Sequence, residues 1–432
     1  MKKIFVMLLC GLLLAACGGG GAGTSPTSLN STVAISAPTV ATATSSASKN
    51  TVTWQPVNGA TSYNIYWSTS PNVTKNTGSK IINASSPYVH SGLIDTQKYY
   101  YVITSMKDNF ESDISIELEM CASKVIAVDA GSNGVIALKS DGSVWMWNGL
   151  PKTDGTWNDI PKIVPGLSSI VGIATNNIGG NYGDNYLALE SDGTIWAWGD
   201  NHYGQLGNGT TTSSVTPVRV NISDVVKINS IGHTSFAIKR DGTVWGWGYN
   251  GGALGYLAGA TDYKTLPVQI PNLTGITDVS SNYAVKNNGT LWRWDENGGV
   301  MIPNVNNAQK LFTDSTSTPY WIATDGSVWS LVSGNPVQAE RNGLPINNAI
   351  SLSLYAFTVV KNDGTVWTTA WNSNLNIDQY VKVNSLGDAV ITDSGVSTTF
   401  VIRQDGTLVG WGKINFGNNN TTYLNPVVIS GL

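Results

Sequence analysis

The stretch YLALESDGTIWAWG, residues 186–199, decides the fold. Apolar and small residues alternate on both sides of Asp192-Gly193, a dipeptide that favours a two-residue type I′ hairpin turn because both central positions need positive φ. The cue recurs at Asp141-Gly142, Asp241-Gly242, Asn288-Gly289, Asp325-Gly326, Asp363-Gly364 and Asp405-Gly406, at intervals of 37 to 51 residues. Seven β-hairpins are expected.

Counting from the Asp or Asn as zero, position +4 is Trp145, Trp196, Trp245, Trp292, Trp329, Trp367 and Val409. Position +6 is Trp147, Trp198, Trp247, Trp294, Leu331, Thr369 and Trp411, and position −3 is always Leu, Ile or Val. A two-residue turn sets −3 opposite +4 and −5 opposite +6. The bulky residues then share one face as core, and Ala137, Ala188, Ala237 and Ala284 lie on the other. One large and one small face let stacked sheets mesh around a ring.

An apolar run such as IVGIATN or VVKINSIG precedes each hairpin and supplies a third strand. Short segments supply a fourth: PKIV (161–164), PVRV (217–220), PVQI (267–270), PNV (303–305), PVQA (336–339), YVKV (380–383) and PVVI (426–429). Pro at the head of an edge strand loses no ladder hydrogen bond. The first hairpin has no such segment before it, so PVVI is expected to complete the first sheet and close the ring. Residues 122–432 allot about 44 positions to each unit, within the range of four-stranded propeller blades.

The run Trp198-Gly199-Asp200-Asn201-His202-Tyr203-Gly204-Gln205-Leu206-Gly207-Asn208-Gly209 resembles the signature of regulator-of-chromosome-condensation repeats. Echoes follow at Trp247-Gly248-Tyr249-Asn250 with Leu254-Gly255, and at Trp411-Gly412 with Phe416-Gly417. Units four to six lack the Gly-Gln-Leu-Gly stretch and run short. The resemblance implies a seven-bladed propeller. The founding member of that family is a guanine nucleotide exchange factor that binds chromatin, and similar rings include inhibitors that cap β-lactamases. Resemblance of fold does not transfer activity.

Upstream, residues 38–120 carry short alternating runs, TVTWQPV, SYNIYWS, KIINA, YYYVIT and ISIELEM, separated by turn residues. They resemble a fibronectin type III sandwich. Trp54 stands for the core Trp, Tyr63 and Tyr66 lie on the next strand, and Leu93 precedes Tyr99 as in a tyrosine corner. The whole chain is therefore read as all-β: a fibronectin type III-like sandwich over 38–120, then a seven-bladed propeller over 121–432 closed by its C-terminal strand.

Lys2 and Lys3 precede an apolar run from Ile4 to Leu14, as in a secretory signal over 1–16. Leu14-Ala15-Ala16-Cys17-Gly18 resembles the lipobox of bacterial lipoproteins, which implies a lipid on Cys17. The Gly/Ser/Thr-rich stretch 17–37 reads as a flexible spacer. With Cys10 in the signal and Cys17 acylated, Cys121 stands alone and no intrachain disulfide is expected.

Composition narrows the chemistry. The chain has 432 residues, 12% charged, with 24 Lys+Arg against 28 Asp+Glu and a net charge of −4, so no nucleic-acid partner is expected. Its three histidines, His90, His202 and His233, have no second ligand at metal spacing, and no metal or cofactor is expected. No nucleophile elbow, phosphate loop or paired carboxylates are legible. What remains is loop surface, with Asn201, His202, Tyr203, Gln205, Tyr249, Asn250 and Phe416 as candidate partner-binding residues. The Gly204, Gln205 and Gly207 positions also suit a purely loop-shaping role.

The expectation is a non-catalytic lipoprotein at the cell membrane or outer membrane, on its periplasmic or extracellular face. The lipid anchors it to the membrane, and its propeller loops meet an unknown protein or polysaccharide. The alternatives are a glycan-active hydrolase or lyase of the cell surface, or an inhibitor capping a partner protein. Nucleotide exchange is not expected of an exported acidic chain.

Overall fold

The computed structural model of the chain describes residues 35–46, 48–95, 97–147, 160–176, 183–250, 254, 263–295, 298–314, 316–372, 377–395, 398–416, 419–429 and 432. The signal segment, Cys17 and most of the spacer lie outside the described residues, as do most of loops 176–185 and 249–263.

Two facing sheets form the N-terminal part. Val40–Ser46, Lys49–Trp54 and Tyr88–Ser91 make one, and Ser79–Ala84, Ser62–Ser68 and Lys98–Lys107 run side by side in the other. Phe110–Glu111 and Leu118–Cys121 also pair with Lys98–Lys107. Val52, Trp54, Ile65, Tyr101 and Ile103 are buried in one cluster. The Tyr99 hydroxyl accepts the Ile94 N–H at 3.0 Å beside buried Leu93, which ties the crossover between the sheets. Cys121 carries a free thiol.

Among the described residues seven four-stranded antiparallel sheets follow, each built from one contiguous stretch of chain. Their first strands are Val125–Ala130, Ile170–Thr175, Val225–Ile231, Ile276–Ser280, Ala308–Thr313, Ala349–Ser353 and Ala389–Ser394. All seven line a single axial channel of about 400 Å³. Each sheet packs on the next, and the seventh returns to the first through Ala389–Ser394 and Thr398–Arg403 against Val125–Ala130. This architecture is a β-propeller.

Closure differs from the sequence expectation. The last strand, Asn419–Val428, pairs with Leu408–Phe416 of its own hairpin, with Val409 opposite Val428. The first sheet already has an outer strand, Lys162–Ile163, paired with Trp145 and Met146. Among the described residues the outer strand thus follows its hairpin in every sheet, and no sheet borrows a strand. In the fourth sheet the outer strand is Gly298–Met301 rather than 303–305.

Side-chain packing and one recurring hydrogen bond hold the circle instead. The hairpin-glycine carbonyl accepts the N–H that opens the next sheet: Gly142 from Ile170 (3.4 Å), Gly193 from Val225 (3.4 Å), Gly242 from Ile276 (3.1 Å), Gly289 from Ala308 (3.0 Å), Gly326 from Ala349 (2.8 Å) and Gly364 from Ala389 (3.0 Å). Gly406 accepts from Val125 at 3.3 Å and so joins the seventh sheet to the first by the same contact.

The hairpins also differ from the type I′ expectation. Gly193 N–H donates to the Glu190 carbonyl at 3.0 Å, and Gly193 sits at φ 89° while Asp192 keeps negative φ. This is a three-residue loop, a type I turn closed by a glycine bulge. Register therefore moves by one: Leu189 faces Ile195 and Ala188 faces Trp196. A one-residue slip turns every side chain to the other face. Trp at +4 and +6 consequently shares a face with Ala at −4, and the aliphatic residues at −3 and +3 occupy the reverse.

Sheets mesh aliphatic face to Trp/Ala face. Leu187, Leu189 and Ile195 of the second sheet bury Ala237 and Trp247 of the third. Phe236, Ile238 and Val244 of the third bury Ala284 and Trp294 of the fourth. At the closing seam Phe400, Ile402 and Leu408 bury Val135, Ala137 and Trp147. Full burial of a Trp is among the largest single contributions a side chain makes to such a core, and truncating one to Ala costs about 3–5 kcal/mol.

The +6 indoles of the first four sheets are wholly buried, whereas those at +4 are half-buried rather than core. Trp145, Trp245, Trp292 and Trp329 instead donate to the Ser or Thr hydroxyl two residues earlier, at 2.7–3.1 Å. That hydroxyl bonds the turn Asp or Asn. Lys139, Lys239, Lys286 and Lys361 lie over four of the exposed +4 faces. The repeated Asp-Gly-Ser/Thr-x-Trp pattern is thus a structural clasp.

Between the fifth and sixth sheets the chain inserts a small hairpin, Glu340–Arg341 paired with Leu344–Pro345, which the sequence reading missed. Its turn is Asn342-Gly343, at φ 55° and 72°.

Candidate interaction face

The loop from Asp200 to Ser213 links the third and fourth strands of the second sheet and leans on the third sheet. Asn201 holds it from inside. Its amide donates to the carbonyls of Thr210 (3.1 Å) and Thr212 (3.0 Å), and its oxygen accepts Leu206 N–H at 2.9 Å. Gln205 bonds Asp200 at 2.6 Å and accepts Tyr203 N–H at 2.9 Å. Its carbonyl takes the Trp247 indole N–H at 2.8 Å and the Ser235 hydroxyl at 2.9 Å. A Cβ on Gly207 would stand 2.8 Å from that indole nitrogen, so only glycine lets the loop pass. The Trp-Gly pairs have a similar cause: Gly199, Gly248 and Gly412, at φ 96–100°, each mark a bulge toward the outer strand.

These facts divide the sequence candidates. Asn201, Gln205 and Asn250 are fully buried: Asn201 and Asn250 are thereby corrected as contact residues, Gln205 takes the loop-shaping role of its two readings, and none of the three offers a partner side-chain surface. The Phe416 side chain lies outside the described residues.

His202, Tyr203 and Tyr249 remain at the surface. His202 is 61% exposed and pairs through Nδ1 with the buried carboxylate of Asp200. Tyr203 lies 5.0 Å from the His233 ring and 5.2 Å from Tyr249, centroid to centroid. Burial pushes the His233 imidazole below its ordinary pKa, with Asp200 pulling the other way, so it faces the tyrosines as a neutral ring near pH 7. The result is an aromatic patch at the junction of the second and third sheets, fixed from beneath by the Asn201 and Gln205 bonds. It can stack on flat apolar groups and hydrogen-bond through phenols.

The axial channel holds residues that sequence reasoning did not find. Lys227 pairs with Asp278 at 2.6 Å, and Asp278 accepts Leu311 N–H of the next sheet at 3.0 Å. Asp129 accepts Thr175 N–H at 3.1 Å, and Asp393 accepts Ala130 N–H across the closing seam at 2.6 Å. Burial pushes the Asp393 carboxyl up to about 6, and burial together with the neighbouring Asp393 raises Asp129 well above its usual range. Each inner strand carries a bulge near its start. An Asp at the fifth position of the runs VIAVDA and AVITDS was the available signal. Among the described residues no group of three or more His, Cys, Asp or Glu is placed to hold a metal ion.

The sheets, their hairpin clasp and the loop bonds define a propeller with regulator-of-chromosome-condensation-like repeats. The family profile of the regulator of chromosome condensation (RCC1) repeat matches residues 192–238, which run from the hairpin of the second sheet into the third and enclose the Asn201–Gln205 loop. The E3 ubiquitin-protein ligase HERC2 of Homo sapiens is 33% identical over 117 residues, 25% of this chain. The chain spans about 2% of the length of that relative. Among solved structures, human WBSCR16 shares 15% identity at a TM-score of 0.39, covering 75% of this chain and 87% of its own. Prp20p from Saccharomyces cerevisiae shares 15% identity at a TM-score of 0.33, covering 86% of each.

Proposed function

We propose that this chain is a lipid-anchored, exported interaction protein: lipid at Cys17, a spacer, a fibronectin type III-like stalk, and a seven-bladed propeller that presents a loop face to a protein or polysaccharide of the cell envelope. The observation that carries the reading is the Tyr203–His233–Tyr249 patch, a surface cluster of aromatics held from beneath by buried bonds of the loop. Pre-ordered aromatics lose little entropy on binding and are enriched where proteins meet partners.

The test couples two measurements. Cys17→Ser should release the protein from the membrane fraction and abolish incorporation of labelled fatty acid. Alanine replacement of Tyr203 and Tyr249 together should weaken capture of envelope components by the purified protein while leaving its near-UV circular dichroism intact. Undiminished capture by the double variant would remove this face from the mechanism.

A further inference from the structure

The ring departs from its own repeat where the Glu340–Arg341 hairpin enters, and a cavity of about 360 Å³ opens there between the fifth and sixth sheets. That volume lies within the range of small-ligand sites, roughly 300–1,000 Å³. Arg341 lies over the Phe357 ring at 3.5 Å, with Nη1 donating to the Glu340 carbonyl at 2.9 Å. Phe357 itself sits at φ 38°, a conformation bulky residues rarely adopt and one that concentrates at ligand clamps. Tyr320 stands edge-on to Phe357 at 5.8 Å, and Tyr380 stacks on Trp367 at 5.5 Å.

Tyr380 carries the strongest indication. The residue lines the cavity, and its hydroxyl is buried with no hydrogen-bond partner among the described residues. A buried phenol left unsatisfied costs free energy that a ligand hydroxyl would return. Burial also pushes its pKa upward, so the phenol stays protonated and can both donate and accept.

The remaining lining selects the ligand class. Asp314, Asn342 and Thr369 share the cavity with Arg341. Asp314 Oδ1 accepts from Thr316 and Thr318, which fixes the carboxylate in place. A carboxylate in the same cavity as the guanidinium disfavours a plain anion. Donors and acceptors of both signs between aromatic walls instead suit a molecule with many hydroxyls and an apolar ring face. The geometry points to a saccharide-binding site here, for one or two units of a neutral glycan, with Arg341, Asp314 and Tyr380 bonding hydroxyls and Tyr320 or Tyr355 stacking on a sugar face. It is separate from the Tyr203 patch and does not depend on it.

Saturation-transfer NMR on the full chain tests this with cellotetraose, maltotetraose, chitotetraose and mannotetraose at millimolar concentration, and with glucuronate and acetate as anionic probes. At least one neutral oligosaccharide should bind. Tyr380→Phe, which removes one oxygen, and Arg341→Lys, which keeps the charge but loses the planar fork, should each weaken it about tenfold. Ile82→Ala, an exposed change in the sandwich, should leave it unchanged. Thermal melts establish that both variants fold. Binding by none of the four, binding only by the anions, or binding that survives either substitution would overturn the assignment.

Discussion

Asp393 lies on the seam that closes the ring, so its ionisation should set how firmly the circle holds. Its carboxyl titrates at about 6 in the folded chain against an ordinary 3.8, because burial disfavours the charge more than the bonds from Ala130 N–H and Asp129 favour it. The sign follows from proton linkage: between these values the folded state binds more protons than the unfolded, so the stability this group contributes is full below pH 4 and lost as pH rises through 6. The shift corresponds to about 3 kcal/mol, most of it gone by pH 8. Asp393→Asn keeps an acceptor for Ala130 N–H, removes the titration, and relieves Asp129 of a like charge. Urea unfolding followed by tryptophan fluorescence should show the variant more stable than wild type by up to about 3 kcal/mol at pH 8, and nearly equal at pH 4. Parallel pH profiles for the two proteins would refute the reasoning, because the carboxyl would then titrate alike in both states.

Three further outcomes are expected. Glu111 in the sandwich behaves in the opposite sense: burial pushes its pKa up, but bonds from Asn64, Thr104 and Tyr66 and the charge of Lys80 outweigh it and hold the carboxylate at about 2. Its contribution is present above pH 4.5 and lost as pH falls toward 2, so Glu111→Gln should flatten the acid limb of a circular dichroism titration. Gly248→Ala would place a Cβ 2.2 Å from the His233 carbonyl at φ 96° and should cost at least about 2 kcal/mol in a denaturant melt. Gly166→Ala, at φ 82° with open space around it, should cost about 1 kcal/mol and serves as the control. Asn201→Ala should strip hydrogen-exchange protection from Leu206 and destabilise the chain by about 2 kcal/mol, since it leaves the buried Leu206 N–H unpaired and frees the Thr210 and Thr212 carbonyls from their clasp.

The architecture was legible because one short pattern repeats: Asp-Gly between apolar alternations marks each hairpin, and the tryptophans mark its second strand. Register was not legible to the last residue, because Asp-Gly serves both the two-residue turn and the type I turn with a glycine bulge. Only the backbone at Asp192 separates them. Closure was misassigned because PVVI pairs equally well, on paper, with either end of the ring. The Asn201 side chain looked like surface because polar loop residues usually are, yet here the loop folds over it. Asp129 and Asp393 are 264 residues apart, and only the ring brings them together. The Arg341 hairpin carries an Asn-Gly turn that could have been read, but the residues flanking it do not alternate.

Because every sheet is a self-sufficient stretch of chain, the ring is modular in a strong sense. A duplication or deletion bounded by two successive hairpins would add or remove a whole unit without orphaning a strand elsewhere, and the glycine carbonyl of the new neighbour would receive the next N–H as before. The same property leaves the junction of the seventh sheet with the first as the one place where no peptide linkage backs up the packing. Mechanical or chemical stress should therefore part the ring there first, like a split washer, with each sheet still intact.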